Sequence, residues 1–224
     1  GVAEEAYRAG IPTIITDRKV NTNQYTTFVG ANNYDIGYTA GMYAGKHLPP
    51  HATIVEIWGM MGSSPAQERH NGFRDALQDR KDLVFREVKG DWRYDVAREH
   101  LKEIDFSRPV DYVFSHNDVM AIAARDHFTS LDSVRGKALH ITGMDAVAEA
   151  GLRAVADGRI NTSFLYPTGG EQVIRTAMQL LEGKRVDKFI PLNSSIVDKE
   201  AAQSLLQQTE RLVNYQQRIE TQRT

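Results

Sequence analysis

The stretch Asp111-Tyr112-Val113-Phe114-Ser115-His116-Asn117-Asp118-Val119-Met120-Ala121 changes its period in the middle. Residues 111–115 read as a short strand, and 118–130 read as a helix. A polar junction, His116-Asn117-Asp118, separates them. A short apolar strand handing over to a helix is half of a βαβ unit. The same hand-over recurs on both sides. Downstream, strand 138–142 precedes a helix over 146–156, and strand 160–165 precedes a helix over 168–182. A last strand over 189–197 leads into one long helix over 199–224. Upstream, strand 52–58 reaches a helix from Pro65 to about Gln78 through a loop at 59–64. Strand 83–88 precedes a helix capped by Asp91 and ending near Ile104. The chain opens with a helix over 2–9 stopped by Gly10, strands 12–16 and 27–30, and a helix over 33–47 ended by Pro49-Pro50. Residues 12–16 form a continuous apolar run, as expected of a strand buried on both faces. Alternation of this kind predicts an α/β fold with a mainly parallel sheet covered by helices on both faces.

Composition narrows the function. The chain has 224 residues, with 41% hydrophobic and 25% charged, so it can bury a core. At roughly 150 residues per domain this is about one and a half domains. A net charge of -2 offers no basic surface for a phosphate backbone, so no nucleic-acid partner is expected. There are no cysteines, which excludes disulfide scaffolds, thiolate metal sites and cysteine nucleophiles. No apolar run reaches the length of a membrane span.

In open α/β sheets, ligands bind beyond the carboxyl ends of the strands. Asp17-Arg18 follow strand 12–16, Gly90-Asp91-Trp92 follow strand 83–88, His116-Asn117-Asp118 follow strand 111–115, and Gly143-Met144-Asp145 follow strand 138–142. Glu68-Arg69 fall in the second turn of the helix after strand 52–58. Carboxylates accept from hydroxyls, while Arg and Asn donate with fixed planar geometry. A tryptophan can cover the apolar face of a ring. The mix suits a neutral polyol. Each residue also has a plainer reading. Asp17-Arg18 could be a surface ion pair, Asn117, Asp118 and Asp145 could cap helices, Arg69 could be a solvated charge, and Trp92 could be core. Their convergence on one sheet edge favours the ligand.

Other chemistries lack their residues. The loop Gly59-Met60-Met61-Gly62-Ser63-Ser64 has neither the Lys-Ser/Thr of a P-loop nor the third glycine of a dinucleotide fingerprint. None of the seven histidines forms a metal pair within one helix. Ser63 and Ser64 lack a nucleophile elbow. No catalytic set, metal or cofactor is therefore expected. Gly37, Gly41 and Gly45 recur every four residues, flanked by charges, and are expected to let their helix pack close to a sheet.

The motifs together resemble those of type I periplasmic sugar-binding proteins of the ribose-binding kind. The resemblance is carried by Ile11-Pro12-Thr13-Ile14-Ile15-Thr16-Asp17-Arg18, by Ser64-Pro65-Ala66-Gln67-Glu68-Arg69-His70-Asn71-Gly72-Phe73, by 113–121 with its Asn-Asp pair, and by Thr142-Gly143-Met144-Asp145. It runs from about residue 2 to about 198. It implies a monosaccharide held between two lobes, by Asp17 and Arg18 from one and by Arg69, Asn117 and Asp145 from the other, with Trp92 against the ring. Two positions depart from the family: Met144 stands where an aromatic is usual, and Leu165 stands near a usual Gln. Ribose is therefore not carried over as the ligand, and Phe164 and Tyr166 are the candidates to compensate. The resemblance also implies three crossings, near 30–32, 165–166 and 192–193. One lobe would comprise 31–165 and 193–198. The other would comprise 1–30 and 166–192, and would be truncated, lacking its first βα units.

The family's transport proteins end soon after Val197, whereas this chain continues. In 199–224, Leu205, Leu212 and Ile219 are spaced seven apart among Gln, Arg, Glu and Thr, with Leu206 and Val213 beside them. This is either a terminal helix folded on its own domain or a signalling helix. On the second reading the chain resembles the periplasmic sensor of a hybrid two-component histidine kinase of gut sugar-utilising bacteria. Fructose is then the leading ligand, a homodimer through the helix is expected, and a membrane tether is expected beyond Thr224, which would place the chain in the periplasm as part of an inner-membrane protein. The competing readings are a free binding protein of an ABC transporter and the effector domain of a repressor related to the lactose repressor.

Overall fold

The computed structural model describes residues 1–104, 109–129 and 139–223, with side chains to 215. The expected boundaries at Ser130, Ala138 and Thr224, and the side chain of Ile219, lie outside the described residues. The element order is α1 (Val2–Arg8), β1 (Ile14–Thr16), β2 (Thr27–Gly30), α2 (Asn33–Gly45), β3 (Thr53–Trp58), α3 (Ser64–Ala76), β4 (Val84–Lys89), α4 (Tyr94–Lys102), β5 (Tyr112–Ser115), α5 (Asp118–Thr129), β6 (His140–Asp145), α6 (Arg153–Ala156), β7 (Thr162–Leu165), α7 (Gly170–Leu181), β8 (Phe189–Pro191), β9 (Ile196–Val197) and α8 (Lys199–Arg223). A π-turn, Ala148–Leu152, leads into α6.

The strands form two sheets. The small one runs β1-β2-β8 and is parallel throughout. The large one runs β4-β3-β5-β6-β7-β9 and is parallel except for β9, which pairs antiparallel with β7. The chain passes between the sheets after β2, after β7 and between β8 and β9. The expected single strand over 189–197 is thus two. Its first half pairs with β2 and its second half pairs with β7, with the polar run Asn193-Ser194-Ser195 between them.

Strand alternation explains the continuous apolar runs of the large sheet, whereas β1, expected to be buried on both faces, lies in the small sheet only partly buried, with Thr16 exposed. In the large sheet, Val55, Ile57, Val113 and Ile141 face one layer with residues of α4, α5, α6 and α8. Ile54, Tyr112, Phe114, Met144 and Phe164 face the other, with residues of α2 and Phe73 of α3. Phe73 stacks on Phe114 at 3.8 Å between ring centroids. Each such large side chain, fully buried, contributes roughly 1.5–3 kcal/mol.

The glycine stripe has a different partner from the one expected. A Cβ on Gly37 would lie 2.3 Å from the Arg69 carbonyl oxygen, and one on Gly41 would lie 2.6 Å from Ala76 Cβ. On the facing helix, a Cβ on Gly72 would lie 2.1 Å from the Tyr34 carbonyl oxygen. The stripe therefore packs α2 on α3, helix against helix, and not on a sheet. Its consequence is functional, because α3 carries Arg69.

The tail is part domain and part projection. Asp198 caps α8 through the Ala201 amide at 2.9 Å. Ala202 is buried, and Ala201, Leu205 and Leu206 pack against the core of the large sheet. Beyond them, Leu212, Val213 and Tyr215 are exposed.

Candidate ligand cleft

One small cleft, of about 200 Å³, is lined by Asp17, Arg18, Pro65, Arg69, Trp92, Asn117 and Asp145. All six residues singled out in the sequence are there. They come from the ends of both sheets: Asp17 and Arg18 follow β1, Trp92 follows β4, Asn117 follows β5, and Asp145 ends β6. Two larger surface hollows lie outside the cleft, beside 165–172 and beside 189–196. The first of them shares only Asp145 with it.

Arg69 is the hub. It is 4% exposed, and each of its three nitrogens is engaged. Nε donates to Asn33 Oδ1 at 2.8 Å, and one terminal nitrogen donates to Asp145 Oδ1 at 2.8 Å. The other terminal nitrogen donates to the His116 carbonyl. The guanidinium lies 5.5 Å from the ring centres of both Trp92 and Tyr166. A buried Arg is tolerable because each of its three nitrogens has a partner, while two further N–H donors of the fork are left for a ligand.

The other walls are held as firmly. Asn117 accepts from the Met120 amide at 3.0 Å, capping α5, and donates to the Trp92 carbonyl at 3.1 Å. Capping and site roles therefore coexist in one side chain. Asp17 and Arg18 are exposed and only loosely paired, at 3.6 Å. Tyr166 donates to the Asp17 carbonyl at 3.2 Å, and Lys19 pairs with Glu68 at 2.6 Å. The first lies at the crossing just after β7, and the second joins the small-sheet edge to the large one.

The backbone is strained at these positions. Among non-glycine residues, φ is positive at Asp17 (66°), Asp91 (50°), Trp92 (67°), Asp145 (95°) and Ala146 (53°), and otherwise only at His51 among the described residues. Three of these are cleft residues, and Asp91 and Ala146 adjoin two of them. Such conformations cost of order 1–3 kcal/mol each and concentrate at functional sites. The kink at Asp91-Trp92 also displaces the expected cap. Asp91 pairs instead with Lys89 at 3.0 Å, and Arg93 occupies the cap position of α4.

Two expected compensations resolve differently. Met144 is fully buried in the core, and so is Phe164, edge-on to Tyr43. Neither faces the cleft. Tyr166 does stand beside it, through Arg69 and Asp17.

Sequence reasoning left out the supports. Asn33 read only as a helix start, yet it is buried and orients Arg69. Asp118 read as a cap, yet it is buried and accepts from Ser163 Oγ at 2.6 Å and from the Ala146 amide at 2.7 Å. Burial pushes its carboxyl up to about 8. It sits where Gly143 and Gly151 have no Cβ; one on Gly151 would lie 1.9 Å from its Oδ2. Asp118 thereby fixes the turn that presents Asp145.

Glu56, His70 and Glu87 bring one ligand atom each to within 4.8 Å of one another, which could hold a metal ion. Arg74 already supplies positive charge there, pairing with Glu56 at 2.9 Å and Glu87 at 2.7 Å. These residues do not fit a metal.

Comparison with known proteins agrees with this fold. The family described as periplasmic binding protein domain matches residues 1–185. The ribose import binding protein RbsB of Escherichia coli K12 is 27% identical over 198 residues, covering 87% of this chain. The chain spans 66% of that relative's length. Among solved structures, the fructose-binding periplasmic domain of the hybrid two-component system BT1754 superposes with a TM-score of 0.87 at 34% identity, covering 98% of this chain and 74% of that one. A Mycobacterium smegmatis protein in complex with β-D-fucofuranose superposes with a TM-score of 0.80 at 27% identity, covering 96% of this chain and 73% of that one.

Proposed function

We propose, from the fact that this chain belongs to the periplasmic binding protein domain family, that it is an extracytoplasmic sugar-sensing domain. It is a binding domain and not an enzyme. The ligand is a monosaccharide, with fructose first, bound in the cleft between the two sheets. The observation that carries this reading is the cleft itself: two carboxylates, two guanidiniums, an amide and an indole, drawn from the ends of both sheets. On this view residues 1–30 and 166–192 form one lobe, 31–165 and 193–198 the other, and 199–224 the output helix. A sugar touching both lobes favours the closed hinge by its differential affinity for that state.

The sensing role is supported by the likeness to the fructose-binding periplasmic domain of a hybrid two-component system. It is also supported by α8, which carries exposed Leu212, Val213 and Tyr215 past the domain. A homodimer through that face would convert hinge closure into relative motion of two tails, at a membrane to which the chain would be tethered. No helix among the described residues is itself long and apolar enough to cross one. The second reading, a binding protein serving a transporter, is favoured by the ribose import relative.

The test is calorimetry with fructose, ribose, glucose and galactose, followed by sedimentation with and without the sugar that binds. Fructose is expected to bind and to change the dimer population. Absence of heat with all four sugars sinks the monosaccharide reading. A protein that binds sugar but stays monomeric in both states is a carrier.

A further inference from the structure

The ring of His116 lies behind the cleft and joins two of its walls. It is fully buried. Its Nδ1 is 3.2 Å from the Gly59 amide nitrogen. A backbone N–H only donates, so Nδ1 is the accepting nitrogen and the ring proton sits on Nε2. Nε2 in turn donates to Glu56 Oε1 at 3.2 Å. Glu56 is itself fixed by His70 at 2.8 Å and by Arg74 at 2.9 Å, both on α3. Burial works against the charge on Glu56, but the hydrogen bonds from His116 and His70 outweigh it and hold the carboxyl at about 2. Burial also pushes the His116 imidazole down, against the pull of Glu56, which favours the neutral ring.

Both ends of this residue reach the cleft. The His116 carbonyl accepts from Arg69. Gly59, held by the ring, is the floor on which Trp92 rests: a Cβ there would lie 2.3 Å from the indole. Moving the ring therefore moves Gly59 under Trp92, and moving the backbone moves the guanidinium.

We propose that His116 is the positioning residue of the cleft, its ring locked by Glu56 so that Gly59 and Arg69 set where Trp92 and the guanidinium stand against a bound sugar. This rests on the monosaccharide reading above. The four sugars are titrated into the wild-type protein, and the one that binds is then titrated into His116→Gln and His116→Phe. A Gln carboxamide can accept from Gly59 and donate to Glu56, whereas Phe keeps the shape and neither bond. His116→Gln is expected to bind within about threefold of wild type. His116→Phe is expected to lose about tenfold or more, because the Gly59 amide is left buried without this acceptor and Glu56 keeps only His70 and Arg74. Nitrogen-15 spectra of the wild type, which need no variant to fold, are expected to show His116 as the Nε2–H tautomer from pH 5.5 to 8. The Nδ1–H tautomer overturns the proposal, and so does a Phe variant whose affinity falls only in step with its folded fraction. If the wild type binds none of the four sugars, the monosaccharide reading itself fails; if it binds and both variants bind equally well, only the role of His116 fails.

Discussion

Arg69 shows how much of one residue a sequence can carry. Its place before Gly72-Phe73, on a helix following a strand, marked it as a ligand contact. The partners that make its burial tolerable are Asn33, the His116 carbonyl and Asp145, and none adjoins it in sequence. They were legible only as unrelated strand ends and helix starts. Lysine keeps the charge but has no fork to serve three directions. Arg69→Lys is therefore expected to destabilise the fold by about 1–3 kcal/mol, since a buried acceptor is left unpaired, and to weaken sugar binding by tenfold or more. Urea midpoints and calorimetry on the same sample check this. Asp118 makes a second prediction, with a sign. Its folded pKa, about 8, exceeds the unfolded value of about 3.9. Between these values the folded state holds a proton that the unfolded state has released, so this group's contribution falls as pH rises from about 4 to 8. Asparagine can accept from Ala146 and donate to Ser163 at every pH. Asp118→Asn should gain on wild type progressively over that window in urea melts. A difference that stays constant with pH would show that Asp118 is charged in the fold. The positive φ values at Asp17, Trp92 and Asp145 left no trace in the sequence, because Asp and Trp carry no signature that separates a kinked position from a cap or a core residue.

At the scale of elements, the alternation of strand and helix was legible almost throughout, because buried parallel strands and amphipathic helices write different periods. The errors fell where tertiary contact overrides local pattern. Residues 189–197 are one β-rich run, yet each half is claimed by a different sheet. The expected helix over 146–156 opens as a π-turn, where Gly151 crowds the Asp118 carboxyl. The glycine stripe on α2 was visible, but a smooth stripe does not say whether a sheet or a helix lies opposite. The complementary signal was Gly72, on α3. This pairing yields the element-scale prediction. Gly72→Ala places a methyl group against the backbone of Tyr34 and Tyr38, neither of which can rotate away. Overpacking of this kind costs typically 1–3 kcal/mol. Because the strain is relieved by sliding α3, the loss of sugar affinity should exceed what the lowered urea midpoint accounts for. Gly45→Ala is the control: a Cβ there meets only Leu77 Cδ2 at 3.5 Å, and both readouts should stay near wild type.

Over the whole molecule, the contacts that join the two sides of the cleft among the described residues are of modest strength. Lys19 with Glu68 is an exposed ion pair, which contributes at most about 1 kcal/mol, and Tyr166 with Asp17, at the crossing after β7, is a single hydrogen bond to a backbone carbonyl. Such contacts can bias a closed arrangement without enforcing it, which is what a ligand-driven hinge requires. The sequence contains no cysteine, so paired labels can be introduced without a background thiol. Asn21→Cys beyond β1 and Met61→Cys in the loop after β3 place exposed labels on opposite sides of the cleft. Their distance distribution is expected to be broad without sugar, and to shorten and narrow when the bound sugar is added. Raising the salt concentration should broaden the sugar-free distribution further, as the Lys19–Glu68 pair is screened. Adding Arg69→Lys to the labelled chain should move the response to tenfold or more higher sugar concentration while leaving the sugar-free distribution in place, since the variant weakens the ligand's grip on one wall rather than the hinge. A distribution that does not move with sugar in the otherwise wild-type chain, at concentrations where calorimetry shows full occupancy, would mean that the two sheets form a fixed frame. Closure would then be excluded as the signal passed to α8.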